Sequence, residues 1–217
     1  MDYAIHVTVN RRYVSPRRAE QARQTRSKIL DAAAKLFVDP GYAATPLTAV
    51  AAEAGVAVQT VYAVFGSKRQ LLSDLVDVTL VGDDERVAMA ERSFVTDIRA
   101  LVGLRAKLTR YARHLAETHA RQVHVILALA SAATADADAA AIWHKNIEDR
   151  RRGMAMFAAD LAATGEVQVS QERAADMLWL AQDVRNYDWL VRRRGWPVER
   201  FERWFVDSVA AILSAPD

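Results

Sequence analysis

The chain has no cysteine among its 217 residues. That removes disulfides, thiolate nucleophiles and cysteine-ligated metals. Glycine and proline are scarce, at 8 and 5 residues, and they sit where one helix would stop and another start. No apolar run reaches the roughly 18 residues that a bilayer span needs. The opening stretch MDYAIHVTVNRRYV lacks the basic start, apolar run and cleavage site of a secretory signal. Within it, YAIHVTV alternates like a strand, but nothing else in the chain has strand character to pair with it. Residues 1–16 therefore read as a flexible N-terminal arm. The expected location is cytoplasmic, with no membrane partner.

Catalytic signatures are missing as well. There is no Gly-x-Ser-x-Gly, no P-loop and no Gly-x-Gly-x-x-Gly. His114, His119 and His124 follow one another at steps of five. On a helix each step turns about 140°, so the three diverge and cannot share a metal as an i, i+4 pair would. His144 and Glu148 are i, i+4, which makes an ion pair more readily than a site. The expectation is a protein that is not an enzyme and uses no metal or cofactor.

What is present is helix-forming residues, with 52% hydrophobic residues in all. Ile29, Ala33, Leu36 and Phe37 form the apolar stripe of a first helix over about 17–38, stopped by DPGY at 39–42. Thr45-Pro46 opens a second, with Thr45 as N-cap, ending near Ala54 before Gly55. A short helix spans about 58–65. Ser67 caps a fourth over about 68–80. VGDDE at 81–85 reads as a break, and Thr96 as the cap of a short turn before Gly103. The stretch 103–135 reads as one long helix or two abutting ones. Further helices run over 136–164, from Ser170 to about Arg194, and from Pro197 to about Leu213. The fold class is all-α: a helix-turn-helix unit at 17–80, then a larger helical bundle at 84–217.

Charge is distributed unevenly. Net charge is only +2, yet residues 11–28 carry seven Lys/Arg against the single acid Glu20, a pattern shared by nucleic-acid-binding arms and solvated helix faces. The short helix, by contrast, is uncharged. Ala51, Gly55 and Val61 have the small, turn and core roles of a helix-turn-helix, with Val50 and Val56 closing its core. The second helix of such a unit enters the major groove. A reader of base edges needs no charge of its own. Val58 and Ala63 suit thymine methyl groups and Gln59 suits adenine, while Lys68 and the arginines of the first helix, Arg26 among them, supply charge for phosphates.

The stretch TRSKILDAAAKLFVDPGYAATPLTAVAAEAGVAVQTVYAVFGSKRQLL, within residues 24–80, resembles the DNA-binding domain of the TetR family of transcriptional regulators. It holds the Ile-Leu-x-Ala-Ala helix, Phe and Gly-Tyr, a Thr at the next helix start, and Ala-Gly-Val. It continues with Thr-Val-Tyr-x-x-Phe-x-Ser-Lys and a Leu-Leu helix. The resemblance implies phosphate contacts near Thr45 and Thr48, base reading by Val58 and Gln59, and backbone or groove-edge contacts for Thr60, Tyr62 and Lys68. Tyr62 could equally be core under the first helix. The chain departs from the pattern where Ala57 stands for a capping Ser, and at Ala63 and Val64, where polar residues are frequent. Specificity would then lean on Gln59, methyl contacts and DNA shape.

The remaining residues share only helicity and length with the family. By resemblance they form a homodimer through the last two helices, matching a palindromic double-stranded DNA operator. Leu178, Ala181, Val184 and Arg185, and the stripe Phe201, Phe205, Val209 and Ile212, are candidates for that interface or for plain core. The bundle is also expected to hold a small-molecule effector, with Tyr111, His114, Leu127, Trp143, Met154, Phe157 and Trp179 as candidate lining residues. The functional expectation is a ligand-responsive regulator, most simply a repressor. The alternative is an architectural, weakly specific DNA binder that answers to no ligand.

Overall fold

The computed structural model describes residues 16–83 and 89–215. The arm expected at 1–16 lies outside them except for Pro16, as do residues 84 and 85 of the break expected at 81–85. Among the described residues there are helices and no strand. Four helices form the N-terminal unit: α1 Pro16–Leu36, α2 Leu47–Ala54, α3 Val58–Phe65 and α4 Lys68–Val81. After a turn at Met89–Glu91 come α5 Ser93–Ala100, α6 Leu104–Ala132, α7 Ala137–Ala162, α8 Gln171–Ala181, α9 Val184–Tyr187 and α10 Val198–Leu213.

The apolar stripe of α1 is buried as its spacing dictates, with Ile29 and Ala33 fully covered. The helix then widens into a π-helical turn at Phe37–Gly41 that contains Pro40. Proline has no N–H to continue the ladder, so the chain leaves the helix here. Gly55 ends α2 at φ 66°, a left-handed conformation that glycine takes without strain. The turn it makes sets α2 and α3 at 106°. Ser67 caps α4, its side chain accepting from the Gln70 N–H.

Two apolar cores follow. One joins α1–α4 to the C-terminal half of α6 and the start of α7, through Leu71, Val76, Val123, Ile126, Leu129 and Ala139. The other fills the far end of the bundle with Leu108, Leu115, Phe157, Leu161, Phe201 and Phe205. The single helix α6 runs through both; its 29 residues reach about 43 Å at 1.5 Å per residue.

Several sequence expectations need correction. Thr45 does not cap α2: that helix starts at Leu47, with Pro46 extended before it. Thr45 is buried instead, its hydroxyl within 2.9 Å of Leu36 O and 2.8 Å of Gly41 O. Thr96 is no cap either, lying inside α5 with its hydroxyl donating to Ser93 O. The helix expected from Ser170 to Arg194 breaks at Gln182. Asp183 caps the short α9, accepting from the Arg185 N–H, and Asp188–Arg193 is π-helical. Phe201, Phe205 and Val209 are buried within their own chain, so they form core and not an interface. The same holds for Leu178 and Val184.

Candidate functional site

The helix-turn-helix presents a face. Val61 and Phe65 of α3 point into the core, which turns Gln59, Tyr62 and Ala63 to the opposite, exposed side. Residues three and four apart share one helix face, so these three form a single uncharged surface with Gln59 at its N-terminal end. Tyr62 is 54% exposed; it is not core. Val64, also exposed, extends the surface sideways. Val58 is only half-buried and packs partly against the core, leaving less of its side chain for a base than the sequence suggests. Thr60 is half-buried and Thr48 exposed at the first turn of α2.

The charged groups divide into two sets. Lys68 starts α4 with its ammonium 4.2 Å from the centre of the Tyr42 ring. Burial draws its pKa below the usual lysine value. Arg17, Arg18 and Lys28 are exposed along α1. Arg26 is turned inward: it pairs with Asp74 at 2.8 Å and its guanidinium lies 4.7 Å from the Phe65 ring centre. Its role is therefore structural in this arrangement. Thr45, buried against two backbone carbonyls, offers no hydroxyl to a phosphate.

Behind this unit, the bundle holds a partly open cavity of about 600 Å³ with a mostly apolar surface. Val76 and Leu80 of α4, Phe94 and Ile98 of α5, and faces of α6 and α7 line it. Of the candidate lining residues, Tyr111, His114, Met154 and Phe157 are on its wall. Leu127 and Trp143 are not; they pack against the core of the N-terminal unit, and Arg185 sits 6.0 Å from the Trp143 ring centre. Trp179 is not a wall residue either, packing on the distal core with its indole N–H unpartnered. For these three the neighbour is another helix of a core, not the cavity.

The polar groups of the cavity are ordered by one another. His119 is buried, and burial lowers its pKa to about 4, against the opposing pull of the hydrogen bond to Gln182 O. It is therefore neutral at pH 7. Its Nε2 lies 2.9 Å from Gln182 O, which can only accept, so Nε2 carries the proton. Nδ1 then accepts from Gln122 Nε2 at 3.1 Å. The Tyr111 hydroxyl donates to Gln182 Oε1 at 3.1 Å and touches Met154 Sδ at 3.6 Å. Burial raises that phenol's pKa. His114, stacked on Phe94 with ring centres 3.5 Å apart, is also held neutral by burial, its pKa lowered to about 4.

The polar atoms of this wall that are buried without a hydrogen-bond partner include Asn146 Oδ1, Arg150 Nη2 and Gln182 Nε2. The sequence reading passed over all three residues. Asn146, Arg150 and Met154 are spaced i, i+4, i+8 on α7, so a polar pair in line with a wall residue was there to be noticed. Gln182 had no such signal, because it stands at the break after α8. Among the described residues no group of three or more His, Asp or Glu is placed to hold a metal ion.

Comparison with known proteins agrees with this geometry. Residues 29–75 match the model of the bacterial regulatory proteins of the tetR family. No curated protein matches the chain by sequence. Among solved structures, one from Rhodococcus sp. described as a TetR-family transcriptional regulator superposes with a TM-score of 0.66 at 18% identity, covering 88% of this chain and 99% of its own. Another so described, from Syntrophomonas wolfei, gives a TM-score of 0.68 at 16% identity, covering 88% and 96%. A transcriptional regulator from Saccharomonospora viridis, solved in complex with choline, gives 0.61 at 18% identity, covering 86% and 95%. At these identities the likeness is one of fold. Residues 29–75 are thus a TetR-family DNA-binding domain, joined to a helical bundle in the fold of that family's transcriptional regulators.

Proposed function

We propose that the protein is a ligand-responsive transcriptional repressor, binding a palindromic operator as a homodimer and leaving it when a small molecule fills the cavity. The observation that carries this reading is the double duty of α4. Its first residue, Lys68, stands beside the reading helix; Val76 and Leu80, two and three turns on, are cavity wall. A ligand that prefers one position of α4 thereby changes the spacing of two reading heads, by as much as its affinity differs between the two positions. Dimerisation is supported by apolar side chains left exposed near the C-terminal end: Leu180, Trp189 and Val198.

Selection from a random duplex library at physiological salt tests the reading. An enriched palindrome is the expected outcome. Binding that shows no enrichment and fades as salt rises would identify a backbone binder of the architectural kind.

A further inference from the structure

We propose that the cavity takes an apolar monocarboxylic acid, its carboxylate received by Arg150, Gln182 and Asn146. This rests on the reading of the cavity as an effector site and adds the chemistry of the effector.

The argument is one of charge and of unfilled hydrogen bonds. The other charged groups on the cavity wall have partners of opposite sign nearby or stand at its rim. Asp149 is held by Lys145 at 2.8 Å and by Arg152. Asp160 takes the Lys107 ammonium at 2.9 Å, and Arg92 holds Asp83 at 2.8 Å. Asp77 and Arg99 are exposed. Arg150 differs. Its Nη2 is 3.6 Å from Asp183 Oδ2, beyond hydrogen-bond reach, and Arg185 Nη1 faces that same oxygen at 3.9 Å. Arg185 is half-exposed and lies off the cavity wall, but it shares that carboxylate, so Asp183 neutralises the buried Arg150 only in part.

The neutral groups nearby cannot cancel the remaining charge. His119 has both nitrogens engaged, and the Tyr111 proton is given to Gln182 Oε1. That bond leaves Gln182 Nε2 as a buried donor with nothing to donate to. A carboxylate accepts from Arg150 Nη2 and Gln182 Nε2 together, and charge-assisted hydrogen bonds are the stronger kind. Asn146 Oδ1 is unpartnered among the described residues, so its amide is free to turn its NH₂ edge toward the same head. An alcohol would fill the hydrogen bonds but leave the charge. An amine would face Arg150 with like sign. Phe94, Ile98, Met154 and Phe157 give the acid an apolar place for its body, in a volume typical of small-molecule pockets.

Titration calorimetry on the full chain without DNA tests this, with decanoate, 1-decanol and decylamine at pH 7.5 below their micelle concentrations. Decanoate is expected to bind at least tenfold more tightly than 1-decanol, and decylamine most weakly. Arg150→Met is expected to bring decanoate down to the affinity of 1-decanol and to leave 1-decanol within threefold. Should that variant fail to fold, Gln182→Leu provides the test, weakening decanoate several-fold but not 1-decanol. The proposal is overturned if the alcohol or amine binds as well as the acid, if none of the three binds, or if the folded variants keep the preference. Affinity for the selected duplex is measured separately. Acid binding that leaves DNA affinity unchanged would sink the regulatory reading and spare the ligand class. An alcohol or amine that releases DNA would do the reverse.

Discussion

Arg26 Nη2 lies 2.8 Å from Asp74 Oδ2, an ion pair between residues 48 apart that ties α1 to α4. Both side chains are largely buried, and Asp74 Oδ1 also accepts from Gln70 Nε2 at 2.6 Å. Removing the acid takes away this bond and the Gln70 contact in a largely buried place beside Phe65. Asp74→Ala is expected to cost about 1–3 kcal/mol of stability, the usual range for losing a hydrogen bond to a charged group, read from urea unfolding. A loss below about 0.5 kcal/mol would put the pair with exposed surface bridges, which contribute little.

Gln59 and Lys68 should fail differently when removed. Gln59→Ala is expected to relax sequence preference, costing roughly 1–3 kcal/mol at one base pair and little on random DNA. Lys68→Ala is expected to weaken binding to all duplexes and lower the salt slope by about one, as for one lost phosphate contact. Fluorescence anisotropy on the selected and scrambled duplexes, across a salt series, separates the two. Equal losses for Gln59→Ala on both duplexes would remove it from base reading, and an unchanged slope would remove Lys68 from the backbone.

Acid should destabilise the protein through its buried histidines. His114 and His119 take up protons near pH 4 when folded, against 6.5 as the ordinary value. Between those values the unfolded chain binds more protons, so stability falls as pH drops through this window and is fully present above it. The slope is at most about 1.4 kcal/mol per pH unit for each histidine. Arg150, Asp183 and His114 act on His119, so the comparison is made against His119→Gln. That variant should be less stable at pH 7.5 and lose less between pH 6.5 and 4. An identical pH profile would show that His119 does not set the acid limit.

Trp189 is 54% exposed near the C-terminal end, on the π-helical segment after α9. If that surface joins two copies, Trp189→Glu buries a charge in the interface and yields monomers. Sedimentation velocity is expected to show a dimer for the parent and a monomer for the variant, with unchanged far-ultraviolet circular dichroism. A monomeric parent would contradict the dimer, and a dimeric variant would place the interface elsewhere.

The N-terminal unit was largely legible because its signals are local. Gly55, Ser67 and the stripe of α1 each act through neighbours within four residues, and α2, α3 and α4 fall close to where the sequence puts them. Thr45 misled because a threonine before proline looks like a cap whether or not its hydroxyl has a better offer from Leu36 O and Gly41 O. Periodicity gave the apolar face of α10 but not what covers it. Phe201 and Phe205 could have met a second copy, as the bulky Leu127 of α6 and Trp143 of α7 could have met a ligand. Only tertiary packing decides, and it decided for core in each case. Of the polar wall, Asn146 and Arg150 carried a signal in their spacing on α7, but Gln182 carried none: it stands where the chain breaks with no glycine or proline to mark it.

The run of α6 through both cores bears on how this chain could be taken apart. Val123, Ile126 and Leu129 supply one wall of the core that also holds Leu71 and Val76. A fragment cut after residue 83 would lose that wall and expose Leu72 and Val76 to water. A chimera that grafts this reading head onto a foreign bundle must therefore carry the matching face of α6 with it, or provide an equivalent one. The unit of inheritance here is a head plus the helix it rests on, and sequence drift on either side of that seam has to be answered on the other.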